Sequence, residues 1–359
     1  MILTTPDYPP VTGGIQRLMW GLVTHAIGWT TRVVTLDHPD AAGAPAPVST
    51  RRVRSSEASR HTAIARLNLA TICEGLSWRP DAVVSGHLVT SPGAVLLGEL
   101  LRIPSLQYVY AKELIDRPRL GRFATTRSNA TVVLSEHAAE IARMAGADAT
   151  RLHVIAPGVD FAERKRAGDG VPTILTVARL TDRYKGFDVM LRAMALVRAQ
   201  IPAVRWVVIG DGPLRGELER TARTWGLDAS VLFCGHVSDE ELDGWFARSH
   251  VFAMPSRLPA GGGGEGYGLV YLEAAARGLP CVAGNVGAVA EAVIDGETGL
   301  LVDASDHVQT AGALVELLAD VDRAAELGAA GRERARTLTW DRMAIAVQAL
   351  VVDLVASRG

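Results

Sequence analysis

Short apolar segments recur along the chain, and each is followed by a stretch in which apolar residues return every three or four positions. Nearly continuous runs of Val, Ile and Leu are typical of parallel strands covered on both faces, and the longer spacing predicts amphipathic helices between them. In the first half of the chain, the predicted strands are Ile2–Thr5, Thr31–Leu36, Ala82–Ser85, Ser105–Tyr110, Thr131–Leu134 and Leu152–Ile155.

This alternation is interrupted once and then resumes. The polar stretch 162–170 breaks the pattern and predicts an interdomain linker. The strands predicted after it are Thr173–Val177, Arg205–Ile209, Val231–Phe233, Val251–Ala253 and Cys281–Ala283. We therefore expect an α/β protein with two doubly wound, Rossmann-like domains, residues 1–163 and 164–338, facing each other across a cleft.

Two further segments complete the predicted organisation. Residues 38–60 are rich in Ala, Pro, Ser and Arg without periodicity, which predicts a mobile loop. Residues 339–359 include an amphipathic helix over Trp340–Val355, which we expect to return to the first domain.

Composition narrows the class of protein. The chain has 359 residues, 48% of them hydrophobic and 21% charged, with a mean hydropathy of +0.17, which excludes an intrinsically disordered protein. No apolar run is long enough to span a bilayer, and the N-terminus lacks a basic segment followed by an apolar one. Three scattered cysteines indicate neither a disulfide framework nor a zinc site. The expectation is a cytoplasmic protein.

Charge is distributed unevenly along the sequence. Residues 1–166 carry a balance of +5 and the remainder −7, so we expect the first half to meet an anionic ligand or a membrane surface. Weak peripheral contact with the inner membrane face is one hypothesis, and a solvated face or a contact to an acceptor phosphate is another. The basic side chains concerned are Arg117, Arg119, Arg122 and Arg127 beside Leu120 and Phe123, with Arg51, Arg52, Arg54 and Arg60.

A glycine-rich segment from Gly261 to Glu273 holds the clearest candidate chemistry. It follows a predicted strand and opens a predicted helix near Tyr267, so the amides of Gly268, Leu269 and Val270 would form an anion site suited to a diphosphate. Glu265 precedes that site. Glu273 lies about 7 Å farther along the helix axis than Gly268, where its carboxylate can accept two hydroxyl groups, as from a ribose.

Two cations accompany this segment. Arg179 and Lys185 flank a strand-to-helix turn after the first strand of the second array. An arginine provides a bidentate clamp and a lysine a compact charge, a combination suited to a phosphate that must leave. Gly210-Asp-Gly-Pro213 also follows a strand, but its glycine spacing does not match a dinucleotide fingerprint, which favours a tight turn before a helix.

These motifs together resemble the family-4 retaining glycosyltransferases of the GT-B fold. The Glu265–Glu273 pair is similar to that family's E-x7-E signature, and Arg179-Leu with Lys185-Gly is similar to its donor-phosphate motif. Within the family, the glycine-rich segment is similar to that of the bacterial phosphatidylinositol mannosyltransferases and related actinobacterial enzymes. Other motifs in the family's order are Pro9-Pro-Val-Thr-Gly13-Gly14, Ser135, Pro157-Gly-Val-Asp160, Gly210-Asp-Gly-Pro213, Gly287 and Gly296-Glu-Thr-Gly299.

The resemblance implies a role for each matched position. Glu265 would hold the donor sugar, Glu273 the ribose, and Arg179 and Lys185 the diphosphate. The positions implied to contact the nucleotide through their backbone are Gly13, Gly14, Gly210, Gly235, Val237, Gly268, Leu269 and Val270. The donor would be a UDP- or GDP-sugar used as co-substrate, with no further cofactor and no metal, and the acceptor a small molecule or a lipid. No nucleic-acid partner is implied.

One position departs from the family's pattern. Many members carry a histidine in a short segment after a first-domain strand, whereas this chain has Lys112 in Tyr108-Val-Tyr-Ala-Lys112-Glu113. Its ammonium could contact the sugar or the phosphate, or it could simply pair with Glu113 or another neighbour. His87, at another predicted strand end, is equally consistent with a structural and a functional role.

Competing functions need different residues. A glycosidase has no use for an amide pocket between its two carboxylates. A metal-dependent GT-A transferase needs an early Asp-x-Asp, and Asp320-Val-Asp322 falls instead at a predicted helix boundary. A non-hydrolysing nucleotide-sugar epimerase and a non-catalytic nucleotide-sugar-binding protein share the two-domain plan, so both stay as alternatives.

Overall fold

The computed structural model describes residues 1–11, 13–41, 47–55, 59–161, 170–259 and 262–357. The chain forms two compact units, one made of Met1–Gly158 with Leu338–Gly359 and the other of Val159–Thr337. The predicted linker 162–170, apart from Gly170, and the predicted boundary at residue 163 lie outside the described residues.

The first unit is built on a seven-stranded parallel sheet in the order β3-β2-β1-β4-β5-β6-β7. Its strands are β1 Ile2–Thr4, β2 Arg32–Leu36, β3 Ser49–Val53, β4 Val83–Ser85, β5 Ser105–Tyr108, β6 Ala130–Val133 and β7 Leu152–Val154. Its helices are α1 Gly14–Thr24, α2 Arg60–Trp78, α3 Ser91–Leu101, α4 Ala111–Asp116, α5 Pro118–Arg127 and α6 Glu136–Met144, with α14 Trp340–Ala356 from the C-terminal segment.

The second unit repeats the plan with six parallel strands in the order β10-β9-β8-β11-β12-β13. These are β8 Thr173–Val177, β9 Arg205–Ile209, β10 Val231–Gly235, β11 Val251–Met254, β12 Cys281–Gly284 and β13 Gly299–Val302. The helices are α7 Phe187–Gln200, α8 Arg215–Thr224, α9 Asp239–Arg248, α10 Leu269–Ala276, α11 Val289–Ala292, α12 His307–Ala319 and α13 Val321–Arg336. The prediction of two doubly wound parallel sheets is confirmed.

The central strands are buried on both faces, as the apolar runs predict. Ile2, Leu3, Val83 and Val84 are fully buried in the first sheet, and Trp206 is fully buried in the second, where its indole donates to Thr176 Oγ1 at 2.9 Å. Burial of this apolar surface is the main source of stability for each sheet.

The C-terminal helix α14 packs on α1 within the first unit. The Trp340 ring lies so close to Gly21 that a side chain there would overlap it, and the backbone of Gly158 passes against the start of the same helix. Trp340 itself is 5% exposed. This contact ties residues 338–357 to the first unit.

The interpretation of residues 38–60 as a loop is wrong for part of its length. Ser49–Val53 forms β3, which pairs in parallel with β2 at the edge of the first sheet. Strand β13 was also not predicted. Residues 42–46 and 56–58 of the predicted loop lie outside the described residues.

Candidate active site

The candidate site of the second unit forms where its strand order reverses. Strands β8 and β11 are neighbours, and the connections that leave them run to opposite sides of the sheet. Arg179 and Lys185 follow β8, and Glu265 follows β11. In doubly wound sheets, ligands bind at the carboxyl ends of the strands at such a switch point.

Lys185 and Glu265 form an ion pair at this point. The Lys185 ammonium contacts Glu265 Oε1, and the two side chains are only 15% and 12% exposed. The ammonium also lies 5.3 Å from the centre of the Tyr184 ring. An ammonium has three donors, so one contact to a carboxylate leaves two that can point to an anion.

The amino end of α10 lies a few residues beyond Glu265. Gly268 caps the helix with φ of 83°, and no side chain accepts a hydrogen bond from the first turn. The first amides of a helix have no partner within the helix, so those of Leu269 and Val270 are suited to an anion. The observed helix begins two residues after Tyr267, where its start was predicted.

Tyr271 holds this helix start in place. A Cβ on Gly268 would stand 2.5 Å from the Tyr271 ring, so the ring fills the space that only glycine leaves open. The Tyr271 hydroxyl donates to the Met254 carbonyl at 2.5 Å, and its ring packs edge-on against Phe252 at 5.5 Å. Burial raises the pKa of Tyr271 well above its usual value, and the negative charge of Glu265 adds to this effect. The hydroxyl therefore keeps its proton and remains a donor.

Arg179 stands beside a second pair of predicted residues. Its side chain is exposed, and Ala178, just before it, packs against Gly210, where an added Cβ would overlap the Ala178 carbonyl. The amide of Gly210 donates to the Gly235 carbonyl at 2.8 Å. The ends of β8, β9 and β10 therefore bring Arg179, Gly210 and Gly235 together, with Val237 half-buried two residues on.

Glu273 lies half-buried on α10, one turn beyond the amide-bearing start of the helix. Its backbone carbonyl accepts from Arg277 at 3.1 Å, and Arg277 in turn pairs with Asp243 at 2.5 Å. Measured along the helix axis, Glu273 lies about 7 Å from Gly268.

The remaining predicted residues lie in the first unit. Gly13 caps α1 and Gly14 begins it. Lys112, on α4, is half exposed and pairs with Asp116 one turn later at 2.8 Å, whereas Glu113 pairs with His87. The salt-bridge partner of Lys112 is therefore its neighbour Asp116 and not Glu113.

Comparison with known proteins identifies the family of the chain. A model of the family "Glycosyl transferases group 1" matches residues 171–320. The GDP-mannose-dependent alpha-(1-6)-phosphatidylinositol monomannoside mannosyltransferase of Mycobacterium tuberculosis is 32% identical over 375 residues, covering 96% of both chains. The protein belongs to the glycosyl transferases group 1 family. It is a glycosyltransferase, and the resemblance seen in its motifs is confirmed.

A second relative and two solved structures extend this finding. The D-inositol 3-phosphate glycosyltransferase of Arthrobacter sp. is 36% identical over 222 residues, which cover 58% of this glycosyltransferase and 51% of the relative. Sucrose-phosphate synthase from Thermosynechococcus elongatus has a TM-score of 0.84 at 23% identity, covering 99% of both chains. Anabaena Alr3699/HepE, solved with UDP and glucose, has a TM-score of 0.80 at 17% identity, covering 98% and 99%.

These findings do not favour the epimerase or the non-catalytic binding protein. The Asp320-Val-Asp322 stretch is a helix boundary, since the Asp320 carboxylate caps α13 by accepting from the Arg323 amide.

Among the residues that the structure describes, no group of three or more His, Cys, Asp or Glu side chains is arranged to hold a metal ion. Within the same described ranges, no helix is long and apolar enough to cross a membrane.

Sequence reasoning missed several side chains around these sites in the glycosyltransferase. Tyr184 and Tyr271 were not selected, although both lie inside the selected motifs. An aromatic side chain at helical spacing has the same sequence pattern whether it packs against a glycine, as Tyr271 does against Gly268, or belongs to the ordinary core. The pairing of His87 with Glu113 was also missed, because it joins two segments that only the sheet brings together.

Proposed function

We propose that this glycosyltransferase is a family-4 retaining enzyme that moves a hexose from a nucleoside-diphosphate sugar to a hydroxyl group of its acceptor. The observation that carries the proposal is the largely buried Lys185–Glu265 ion pair, which lies at the switch point just before the amino end of α10, where no side chain caps the helix. A cation, a carboxylate and free amides at one strand end suit a sugar joined to a diphosphate.

Each donor-side residue has a stated role in this proposal. The amides of Gly268, Leu269 and Val270 hold the distal phosphate, and Lys185 and Arg179 stabilise the charge that grows on the diphosphate as it leaves. Glu265 accepts hydrogen bonds from sugar hydroxyls. On α10, Glu273 accepts those of the ribose.

Five backbone positions are also assigned to the donor in this proposal. Gly235 and Val237 contact the nucleotide base, and Gly210 keeps the turn beside Arg179 close to the sheet. The glycines Gly13 and Gly14 let the backbone at the start of α1 approach the phosphates.

The reaction follows from these roles. The bond between the anomeric carbon and the diphosphate oxygen breaks, and its electron pair leaves with the diphosphate. The acceptor oxygen forms its new bond on the same face of the sugar, while the leaving phosphate takes the acceptor proton. Preorganised positive charge around the diphosphate supplies most of the rate in this scheme. We propose that neither a metal ion nor another cofactor takes part.

GDP-mannose is the first donor to test. The relative that covers 96% of the chain is named as GDP-mannose-dependent, whereas the Anabaena structure holds UDP and glucose. Thermal melting against GDP, UDP and their sugars separates the two classes, since a ligand at about 100 times its Kd adds about 2.7 kcal/mol of stability. Transfer followed by NMR of the anomeric proton then reports the configuration of the product. An inverted product, or no shift with any nucleotide, would contradict the proposal.

The acceptor in this proposal is a polyol, free or joined to a lipid. Lys112, whose ammonium is held by Asp116, is proposed to approach the donor sugar or its phosphate from the first unit. Lys112→Met should reduce turnover without changing the melting temperature, and unchanged turnover would remove Lys112 from the proposed site.

We further propose weak peripheral contact with an anionic membrane through α5. Arg117, Arg119 and Arg122 are exposed there beside Phe123, which is 37% exposed. The arginines before α2 are less available, because Arg51 pairs with Glu74 and Arg52 donates to the Pro9 carbonyl. Flotation with anionic vesicles should show binding that salt removes, and Arg119→Glu with Arg122→Glu should abolish it.

A further inference from the structure

The turn that carries Lys185 has few restraints of its own. Residues Arg183–Lys185 form a single 3-10 turn in which no residue is buried, and Asp182, just before it, makes no side-chain cap. Gly186 follows with a φ of 80°, after which α7 begins. Because the hydrogen bonds of a 3-10 turn have poor geometry, so short a turn is held mainly by the segments around it. The position of the Lys185 ammonium therefore depends on contacts made from elsewhere in the second unit.

Arg257 supplies two of these contacts, both to the backbone of the turn. It lies three residues after β11, which ends at Met254. Its amide donates to the Tyr184 carbonyl at 2.7 Å, and its Nη2 donates to the Arg183 carbonyl at 2.8 Å. The two carbonyls that come just before Lys185 in the chain are thus bonded to one residue of a distant segment.

The same guanidinium also binds the chain after the turn. Asp188 lies in the first turn of α7, where the helix dipole favours a carboxylate. Arg257 Nη1 donates to Asp188 Oδ2 at 3.0 Å, and Nη2 donates to Oδ1 at 2.8 Å, which makes the pair bidentate. One arginine therefore holds the chain on both sides of Lys185.

Close backbone packing accompanies these hydrogen bonds. A Cβ on Gly186 would overlap the Pro255 carbonyl, so the turn lies directly against the chain two residues before Arg257. A glycine leaves that space open and adopts a φ of 80° without strain. The chain then continues in sequence toward Glu265, the carboxylate that pairs with the ammonium. The Arg257 contacts thus join the turn that supplies the ammonium to the segment that supplies the carboxylate.

These contacts depend on the shape of the Arg257 side chain more than on its charge. The Arg257 and Asp188 side chains are 29% and 51% exposed, and ion pairs this exposed add little to the stability of a protein. A guanidinium is a rigid planar fork, which keeps a carboxylate and a carbonyl bonded at once, whereas an ammonium is a single point charge. We therefore expect Arg257 to affect the geometry of the turn and not the folding of the unit.

We propose that Arg257 is a positioning residue, which places the Lys185 ammonium for the leaving diphosphate by fixing the turn before and after it. Asp188 in turn holds the guanidinium. Arg257 acts through Lys185 and is assigned no contact with the donor. The inference rests on the proposed transferase function, since the role of Lys185 comes from it. A displacement of about 1 Å in an active site can reduce turnover about 100-fold, so a small shift of the turn is enough.

Steady-state kinetics with the full chain test whether Arg257 acts through Lys185. Arg257→Ala should lower kcat about 10- to 100-fold and change the donor KM much less, because the Lys185 charge acts on a charge that grows during transfer. In a Lys185→Ala background the same substitution should have almost no further effect, because the group that it positions is absent. Losses that multiply in the double variant overturn the proposal, and so does an unchanged kcat for Arg257→Ala.

A matched pair on the same turn provides the control. Arg183 Nη1 and Nη2 donate to Glu217 at 2.8 and 2.7 Å, between side chains 68% and 46% exposed. Glu217→Ala removes this bidentate pair and leaves the backbone of the turn bonded to Arg257, so kcat should not change. A loss of kcat equal to that of Arg257→Ala contradicts the proposal.

The conservative variant separates the shape of the side chain from its charge. Arg257→Lys keeps the positive charge without the planar fork, so it should lose nearly as much kcat as Arg257→Ala. Both variants should keep nearly the same midpoint of urea denaturation as the unaltered protein. Full kcat in Arg257→Lys overturns the proposal.

A second measurement observes Lys185 without any reaction. The sequence has three lysines, Lys112, Lys165 and Lys185, so a chain labelled with ¹³C at lysine Cε gives a simple NMR spectrum. The spectrum of Lys185→Gln assigns the Lys185 signal, and the relaxation of that signal reports how far the side chain moves. Arg257→Ala should make the Lys185 Cε more mobile and leave the Lys112 signal, from the first unit, unchanged. An unaltered Lys185 signal overturns the proposal.

The two measurements separate this inference from the proposed function. Should the protein neither bind nor transfer any nucleotide sugar, the transferase proposal fails, and the relaxation of Lys185 still decides whether Arg257 positions the lysine. Should transfer be active while Lys185 is equally mobile with and without Arg257, this inference alone fails.

Discussion

Lys185 and Glu265 are separated by 80 positions in the sequence and form an ion pair with each other in the second unit. Each was expected to bind a different part of the donor, one the diphosphate and the other the sugar. Their contact means that each neutralises the other before a ligand arrives, so removal of one leaves the other as a largely buried charge.

This pairing distinguishes the two cations of the site. Arg179 is exposed and makes no ion pair among the described residues, so Arg179→Ala should lower kcat roughly 100-fold with no change in stability. Lys185→Ala should lower kcat similarly and also reduce the free energy of unfolding by roughly 1–3 kcal/mol. Steady-state kinetics and urea denaturation measure both. Arg192→Ala, at an exposed arginine of α7, is the control. Equal kcat for Arg179→Ala and the unaltered protein would remove Arg179 from the site.

Gly268→Ala should impair nucleotide binding. The substitution places a methyl group 2.5 Å from the Tyr271 ring at a φ of 83°, so the start of α10 must shift and its amides with it. We expect Kd for GDP or UDP, measured by calorimetry, to rise at least about tenfold. Gly226→Ala, at a φ of 63° with open space around it, adds the same backbone strain without the contact. Similar Kd values for the two variants would show that the contact between the Tyr271 ring and position 268 has no role in nucleotide binding.

Glu273→Gln and Glu265→Gln should differ in the kinetic constant they change. An interaction with the ribose is the same before and during the reaction, so loss of the Glu273 charge should raise the donor KM and leave kcat nearly unchanged. The sugar changes its charge during transfer, so Glu265→Gln should lower kcat. Initial rates over a range of donor concentrations separate the two. Glu316→Gln, on the exposed face of α12, serves as the control, and a reduced kcat for Glu273→Gln would contradict the ribose assignment.

Trp340→Ala should destabilise the first unit. The indole is 5% exposed and packs against Gly21 of α1, so its removal leaves a cavity that costs about 3–5 kcal/mol. Guanidinium denaturation, followed by fluorescence of the remaining tryptophans, measures the loss. Trp225→Ala, at a side chain 42% exposed, should cost far less. An equal loss for the two variants would mean that α14 is not anchored by Trp340.

The three cysteines should react at different rates with a thiol reagent. Burial raises the pKa of the Cys281 thiol to about 12, so at mildly alkaline pH it is both protonated and covered. Cys73 is exposed on α2 and should be labelled first, and the half-buried Cys234, whose pKa is also raised by burial, more slowly. Ellman's reagent with and without denaturant counts them. Rapid labelling of all three in the folded protein would be inconsistent with this packing.

The sequence predicts the sheets because their central strands are apolar on both faces. Strand β8, Thr-Ile-Leu-Thr-Val, is buried along nearly its whole length and was identified. Strand β3, Ser-Thr-Arg-Arg-Val, lies at a sheet edge where none of its residues is fully buried, so its hydrogen bonds to β2 leave no apolar pattern to detect. Edge strands depend on their neighbour, which local sequence does not contain.

The residues of the candidate sites likewise divide into those that local sequence can predict and those that it cannot. The glycine at position 268 and the carboxylates of its segment could be selected from spacing alone, because a helix start fixes what its amides can bind. The partner of Lys112 is equally local, since Asp116 lies one helical turn away. The contact of His87 with Glu113 is not local, and neither is that of Lys185 with Glu265. Which side chains meet across strand ends depends on strand order, and the apolar runs do not specify that order.

The tie between α14 and α1 has a consequence for biosynthesis. Residues 159–337 are continuous in the chain, so the second unit can close as soon as that stretch has left the ribosome. The first unit emerges earlier, yet Gly21 has no tryptophan ring to cover it until position 340 has been translated. The unit that is synthesised first is therefore completed last. Until α14 has been made, the surface of α1 around Gly21 stays uncovered, and it is the surface that a chaperone would have to protect.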